Sequence, residues 1–155
     1  MKIALKNRRK MIYNKRIRRG NMFQYTYQIQ KEDINHGNHV GNERALLFFE
    51  KARETWLAEK NYSELSIGDG YGIIQKNATI EYRQQIFLQD TIYVNIVKIE
   101  VEKLFFTFFY EIYNQKGELC VEGNTKMLAY DYKNQKVRKI PNHFLKRIEE
   151  YGMES

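Results

Sequence analysis

Cysteine and proline are almost absent from this chain of 155 residues, which contains one of each. Because Cys120 is the single cysteine, the chain has no internal disulfide and no cysteine-rich zinc site. This cysteine content is typical of a reducing compartment, and we predict a cytoplasmic location. The sequence also lacks a run of about 18 apolar residues, which a membrane-spanning helix needs. We therefore do not expect an integral membrane protein.

Acidic residues are absent from residues 1–21, although this segment contains nine lysines and arginines. The rest of the chain has 17 basic and 19 acidic side chains, so the net charge of +7 arises in the segment. A block of like charge repels itself and usually stays solvated. We predict a basic tail over residues 1–21, either disordered or a mis-assigned start before Met22. Its charge suits RNA or anionic lipid, but it is too short for a helix-turn-helix, and nucleic acid is not an expected partner.

Alternating apolar residues predict the first strand over residues 23–29. A polar, glycine-containing stretch follows, and Asn42 is a suitable N-cap for a helix with Glu43 at its positive end. Seven apolar residues form a broad band along this helix: Ala45, Leu46, Phe48, Phe49, Ala52, Trp56 and Leu57. Such a band predicts a helix that a sheet covers over much of its circumference.

Strand patterns occupy most of the chain after residue 70. They predict strands over residues 71–83, 91–100, 103–113 and 118–130, followed by a short terminal helix from Pro141. The apolar run at the third of these strands, residues 104–109, is typical of a strand buried on both faces. The order of elements predicts an α+β fold over residues 22–155, with an antiparallel five-stranded sheet curled around one long central helix. The open edges of such a sheet favour a homo-oligomer.

The segment before the helix resembles a known family signature. Residues 32–42 read Glu-Asp-Ile-Asn-His-Gly-Asn-His-Val-Gly-Asn, and residues 49–53 read Phe-Glu-Lys-Ala-Arg. These are similar to the Asp-x-Asp-x-x-Gly-His-Val-Asn-Asn and Glu-x-Ala-Arg motifs of the 4-hydroxybenzoyl-CoA thioesterase-like hotdog proteins. The resemblance covers most of residues 22–150, and it includes Asp90, Gly123 and Pro141.

The resemblance implies a hotdog fold and an acyl-CoA thioesterase, which hydrolyses an acyl thioester to the free acid and CoA. It implies an acyl-CoA or acyl carrier protein thioester as the substrate, with no separate cofactor and no metal. It also implies a homodimer or homotetramer. It does not specify the acyl group.

One position departs from the family pattern. When His39 and Val40 are aligned, Asn35 stands where many members have a second Asp that acts as nucleophile or general base, while Asp33 keeps the first Asp. The Asp-x-Asn pair also resembles that of acyl-ACP thioesterases, which use a nearby His and a carboxylate elsewhere. The departure leaves two hypotheses open: a catalytic group at another position, or a non-catalytic protein that binds or senses acyl-CoA.

The start of the helix is the candidate binding site for the thioester carbonyl. Unpaired backbone N–H groups near Gly41, Asn42 and Glu43, next to Val40, together with the helix dipole, suit a developing oxyanion. Gly41 allows a ligand to approach the backbone closely. An ordinary helix start has the same sequence features.

Four side chains are candidate catalytic groups: Asp33, Asn35, His39 and Glu50. The Asn35 amide is suited to donate to the thioester oxygen or to orient a water, or it only forms a turn. His39 is a candidate general base that Asp33 orients, or a structural residue of the loop. Glu50, at the margin of the apolar band, is a candidate base or nucleophile, or the partner of Arg53 in an i,i+3 ion pair.

A hotdog enoyl-CoA hydratase is a further alternative, because Asp33-Ile34-Asn35 resembles the Asp-x-Asn-Pro-x-His pattern of those enzymes. The chain has no proline after Asn35, and His36 and His39 lie at the wrong spacing for that pattern. Thioester hydrolysis therefore remains the leading prediction.

Overall fold

The computed structural model describes residues 22–153, so the predicted basic tail lies outside the described residues. The strands are β1 (Gln24–Gln28), β2 (Gly72–Tyr82), β3 (Thr91–Glu102), β4 (Phe105–Asn114), β5 (Leu119–Asp131) and β6 (Lys136–Arg138). The helices are α1 (Arg44–Glu59) and α2 (Asn142–Glu149), and a 3₁₀ turn covers Lys31–Asp33. The predicted strands and helices are present, and the short β6 is additional.

All of these strands belong to one antiparallel sheet. Its order is β1-β3-β4-β5-β2, and β6 pairs with the end of β5. The sheet is curled but not closed, because β1 and β2 lie at its two ends and do not pair with each other. β2 is 11 residues long, so the sheet has one long edge that is free of strand pairing among the described residues.

The helix α1 packs its apolar residues against the sheet. Seven of its 16 residues are buried, and one of them is the charged residue Arg53. Phe49 stacks on Tyr110 of β4 with ring centroids 4.4 Å apart. Gly123 of β5 makes room for this contact, because a Cβ placed there would overlap the carbonyl oxygen of Thr79 and lie 2.9 Å from the Phe49 ring. The glycine in the fifth strand therefore serves helix-to-sheet packing.

The start of α1 differs from the prediction. Glu43, and not Asn42, is the N-cap, and its side chain makes no capping hydrogen bond. The Arg44 N–H instead donates to the Gly41 carbonyl at 3.0 Å, which closes a turn before the helix. Asn42 therefore lies in a turn, and its carbonyl accepts a hydrogen bond from the Tyr82 hydroxyl at 2.5 Å.

The expectation that the strand after residue 103 is buried on both faces is wrong for the chain by itself. Along β4, Phe106, Phe108 and Tyr110 are buried against the helix, while the residues between them are half-buried. On that outer face, lysine ammonium groups lie over phenylalanine rings: Lys76 and Lys126 over Phe105, and Lys98 over Phe109, at 4.3–4.9 Å from the ring centroids. The outer face is therefore covered by lysine side chains of the sheet itself.

Among residues 22–153, no helix has the length and apolarity to cross a membrane. The cytoplasmic location that we expect from the cysteine content stays a prediction.

Candidate active site

Asp33 is held inside the loop before α1. Its side chain is buried, and its Oδ2 accepts hydrogen bonds from the Tyr27 hydroxyl at 2.7 Å and the Gln30 N–H at 2.8 Å. The Arg44 guanidinium lies 3.6 Å from Oδ1. Burial of the Tyr27 hydroxyl and its hydrogen bond to the Asp33 carboxylate together raise the pKa of Tyr27 to about 12. Asp33 therefore fixes the loop against β1, and it is not the group that orients His39.

Asn35 and His39 shape the exposed turn that follows. The Asn35 Oδ1 accepts a hydrogen bond from the Gly37 N–H at 2.9 Å, which is the turn-forming contact expected of asparagine. The His39 ring lies across Gly37, and its Nδ1 is 3.0 Å from the Val40 carbonyl oxygen. Because a carbonyl only accepts, Nδ1 is the donor in this contact. The His39 ring is thus held in place by its neighbours in the turn.

Three residues immediately before α1, Gly41, Asn42 and Glu43, carry backbone N–H groups, and two of these groups are free. The Gly41 N–H donates to the Asp33 carbonyl at 3.2 Å, so it is occupied. The N–H groups of Asn42 and Glu43 have no acceptor among the described residues. The predicted oxyanion site therefore narrows to these two groups at the positive end of the helix dipole.

A cavity of about 430 Å³, which we call the helix-start cavity, is lined by Asn42 and lies at the start of α1. His39, Val40, Gly41 and Asn42 form one wall. The apolar part of the lining consists of Ala45, Phe48, Ile86 and Val121, and the segment from Tyr82 to Gln85 completes it. The cavity therefore combines a polar wall at the helix start with an apolar interior, as ligand sites usually do.

Glu50 lies elsewhere. It lines a second cavity of about 480 Å³, which we call the Arg53 cavity, between α1 and the β2 edge with Arg53, Glu64 and Tyr132. Arg53 is buried, and its Nε donates to Glu64 at 2.7 Å while one terminal nitrogen donates to Tyr110 and Thr125. Arg53 is thus the partner of Glu64, and not of Glu50 in an i,i+3 pair.

The buried network around Arg53 shifts the ionisation of its members. Burial raises the pKa of the Glu64 carboxyl even though the Arg53 guanidinium opposes this, and burial also raises the pKa of Tyr110. Carboxylate oxygens of Glu50, Glu54 and Glu64 lie within 4.8 Å of one another. Since the Arg53 guanidinium already provides the counter-charge to Glu64, we assign no metal to this group.

The structure thus separates the predicted site residues into three groups. His39, Val40, Gly41 and Asn42 meet at the helix-start cavity, Glu50 lies in the Arg53 cavity, and Asp33 and Asn35 bond within the loop. Tyr82 and the segment that follows it were not predicted, because they reach the cavity from the far end of β2. Glu43, which was expected at the positive end of the helix, lies with its carboxylate against Gly41 and lines neither cavity.

A family model described as the thioesterase-like superfamily matches residues 29–148. The chain belongs to this superfamily. A relative from Aquifex aeolicus (strain VF5), whose name assigns it provisionally to the esterases, is 27% identical over 130 residues, which are 83% of this chain and 98% of the relative. The superfamily assignment makes the chain a thioester hydrolase and agrees with the family resemblance of residues 32–42 and 49–53.

Solved structures of other proteins have the same architecture. A 1,4-dihydroxy-2-naphthoyl-CoA thioesterase from Synechocystis has a TM-score of 0.73 and 22% identity, covering 82% of this chain and 95% of that one. The protein SAV2348 from Staphylococcus aureus, solved in complex with CoA, has a TM-score of 0.75 and 17% identity, covering 85% of this chain and 84% of that one. The predicted hotdog fold, a curled antiparallel sheet, is confirmed.

Proposed function

We propose that the chain hydrolyses an acyl-CoA thioester in the helix-start cavity, releasing the free acid and CoA. The observation that carries this proposal is that Asn42, whose backbone N–H is free, lines a cavity with an apolar interior, and that the free N–H of Glu43 follows it in the chain. Two structural relatives support the choice of CoA, since one is a CoA-thioester hydrolase and another was solved with CoA. An acyl carrier protein thioester is the second candidate substrate.

The carbonyl is placed at the start of α1. Its oxygen accepts from the N–H groups of Asn42 and Glu43, where the helix dipole favours negative charge. The acyl group then extends toward Ala45 and Phe48, which belong to the apolar lining of the cavity. Donors that are fixed before the reaction stabilise the charge of the tetrahedral intermediate without reorganising, and this accounts for much of the catalysis in acyl transfer.

The loop residues take different roles in this proposal. Asp33 and Asn35 hold the loop in place through their contacts to Tyr27, Gln30 and Gly37. His39 lines the cavity, and in this proposal its side chain positions the attacking water. Glu50 is too far along the helix to line the same cavity.

A thiol-release assay with short, long and aromatic acyl-CoAs tests the proposed function. Turnover of any substrate is the expected result, and His39→Ala should lower it by about tenfold or more. Asn35→Ala should also lower turnover, because Asn35 holds the loop in place. Glu50→Gln is the matched control, because Glu50 lies in the Arg53 cavity. Acyl-CoA that raises the melting temperature without any turnover would instead favour a binding or sensing protein.

We also propose that two copies of the chain pair along β2. This strand is the long edge of the sheet, and an unpaired edge is a template for another strand. Leu46, which lines the Arg53 cavity, is 39% exposed beside this edge. Light scattering should give the mass of a dimer or a tetramer, and Leu46→Glu together with Leu47→Glu should shift the mass toward the monomer.

A further inference from the structure

The helix-start cavity lacks the carboxylate that the family motif would provide. Asn35 replaces it, and the Asn35 side chain is exposed and bonded to Gly37. The remaining acid of the motif, Asp33, is buried and already accepts two hydrogen bonds. Hydrolysis of a thioester still needs a base that takes a proton from the attacking water.

One carboxylate lies against a residue of the cavity wall, although it does not itself line the cavity. The Glu43 side chain folds back over Gly41, so that a Cβ placed on Gly41 would lie 2.6 Å from Oε2 and closer still to Oε1. Gly41 itself lines the cavity. The carboxylate oxygens are therefore next to the backbone where the proposed carbonyl binds.

Tyr82 gives a second indication of this location, from another part of the chain. Its side chain lines the cavity, and its hydroxyl donates to the Asn42 carbonyl. Partial burial and the negative charge of Glu43 raise the pKa of Tyr82, so the carboxylate and this cavity residue are close enough to interact. No lysine or arginine among residues 22–153 forms an ion pair with Glu43. The carboxylate is thus exposed and available to water.

We infer that the Glu43 carboxylate is the general base of the hydrolysis, in place of the acid that the family motif has at Asn35. The inference rests on the proposed function, because it assigns a group to that reaction. His39 then positions the water and is not the proton acceptor. In this inference, Glu43 provides both a backbone N–H that donates to the oxyanion and the carboxylate that acts as the base.

The proton balance of the step is simple. The water oxygen forms a bond to the thioester carbon while Glu43 takes one water proton, and the carbonyl oxygen becomes the oxyanion at the Asn42 and Glu43 N–H groups. When the tetrahedral intermediate collapses, the carbon–sulfur bond breaks and the sulfur receives the proton from Glu43. The products are the carboxylic acid and the CoA thiol, and the carboxylate is restored.

The experiment compares Glu43→Gln with Glu59→Gln, an exposed glutamate at the other end of α1, and with His39→Ala. Glu43→Gln should lower kcat by about 10²-fold or more with little change in KM, because the amide keeps the size and loses the basicity. Glu59→Gln should behave as the wild type. Binding of CoA, measured by calorimetry, should be equal in all variants.

The pH profile decides between the two possible bases. A carboxylate base gives an acidic limb at lower pH than an imidazole base does, because a carboxylic acid is a stronger acid than an imidazolium. Loss of the acidic limb in Glu43→Gln, with the limb retained in His39→Ala, is the expected result. An active wild type with Glu43→Gln within threefold of it overturns the role of Glu43 alone. A wild type that cleaves no thioester overturns both this role and the proposed function.

Discussion

The two cavities beside α1 have similar volumes, about 430 and 480 Å³, but they differ in whether their polar groups are bonded inside the protein. In the Arg53 cavity, the charge of Arg53 is bonded to Glu64, Tyr110 and Thr125 inside the protein. At the helix-start cavity, the N–H groups of Asn42 and Glu43 have no acceptor, and the Glu43 carboxylate beside Gly41 has no ion-pair partner among residues 22–153. The first cavity is therefore internally bonded, and the second has the free groups on which the proposed function depends.

The largest expected effect comes from breaking the buried network. Arg53→Met removes the charge that Glu64 faces, and we expect the free energy of unfolding to fall by about 3 kcal/mol, near the lower end for buried pairs because Glu64 is partly solvent-exposed. Urea denaturation measures it. Arg83→Met is the matched control, because Arg83 pairs with Glu81 and Glu122 at the surface and should cost at most about 1 kcal/mol. Equal losses in the two variants would contradict the structural role of the Arg53 cavity.

The next effect concerns two glycines that differ in what surrounds them. Gly123→Ala places a methyl group against the Thr79 carbonyl and the Phe49 ring, and it should lower the free energy of unfolding by about 1–3 kcal/mol. At Gly41→Ala the nearest atoms are those of the Glu43 carboxylate, the far end of a flexible side chain, so its stability should change by about 0.5 kcal/mol or less. Turnover by the Gly41→Ala variant should fall, because the new methyl group displaces the Glu43 carboxylate. Urea denaturation and the thiol-release assay together separate the two outcomes.

A pH-dependent effect is expected for the loop that carries the motif. Tyr27→Phe removes the hydrogen bond to Asp33 and should lower the free energy of unfolding by about 1 kcal/mol at pH 8. The folded pKa of Tyr27 is about 12 and its ordinary value is 10.0, so the hydroxyl stabilises fully below pH 10 and loses its contribution as the pH rises toward 12. The difference between wild type and variant should therefore shrink between pH 8 and pH 11. A constant difference would show that Tyr27 does not donate to Asp33.

The smallest effect is expected at the rim of the helix-start cavity. Tyr82→Phe removes the hydrogen bond to the Asn42 carbonyl, and its cost to stability should be about 0.5–1 kcal/mol because Tyr82 is 48% exposed. We expect KM for acyl-CoA to rise more than kcat falls, since the backbone before α1 becomes less fixed. Thermal unfolding and steady-state kinetics test this, and an unchanged KM would mean that Tyr82 does not hold the cavity wall.

Local patterns in the sequence predicted most of the fold. Strands alternate with a period of two, and the antiparallel hairpin of β4 and β5 follows from the turn at residues 114–117. β6 was not predicted, because a three-residue strand has too little alternation to be recognised. The start of α1 was misplaced because Glu43 caps the helix without a side-chain bond, and the turn depends on Tyr82, 40 residues away.

The site was harder to predict, because its contacts depend on distant parts of the chain. The spacing of Asp33 and His39 suggested a pair, but Tyr27 holds the Asp33 carboxylate on the β1 side. An ion pair of Arg53 with Glu50, one helical turn away, was one of two alternatives for Glu50, whereas the structure gives Arg53 the partners Tyr110 and Thr125, 57 and 72 residues distant. Periodicity gives the face of a helix, but it does not give the strand that the face meets.

The lysines that lie over Phe105 and Phe109 have a consequence for assembly. A second sheet that stacked on this outer face would have to displace three ammonium groups from their rings, at a cost of about 0.5–1 kcal/mol for each contact. It would also take the ammonium groups of Lys76 and Lys126 out of water, whereas Lys98 lies 3.6 Å from a Glu100 carboxylate oxygen. The lysines of the broad face therefore oppose the stacking of a second sheet, and they leave the β2 edge as the surface on which the proposed pairing of two copies depends.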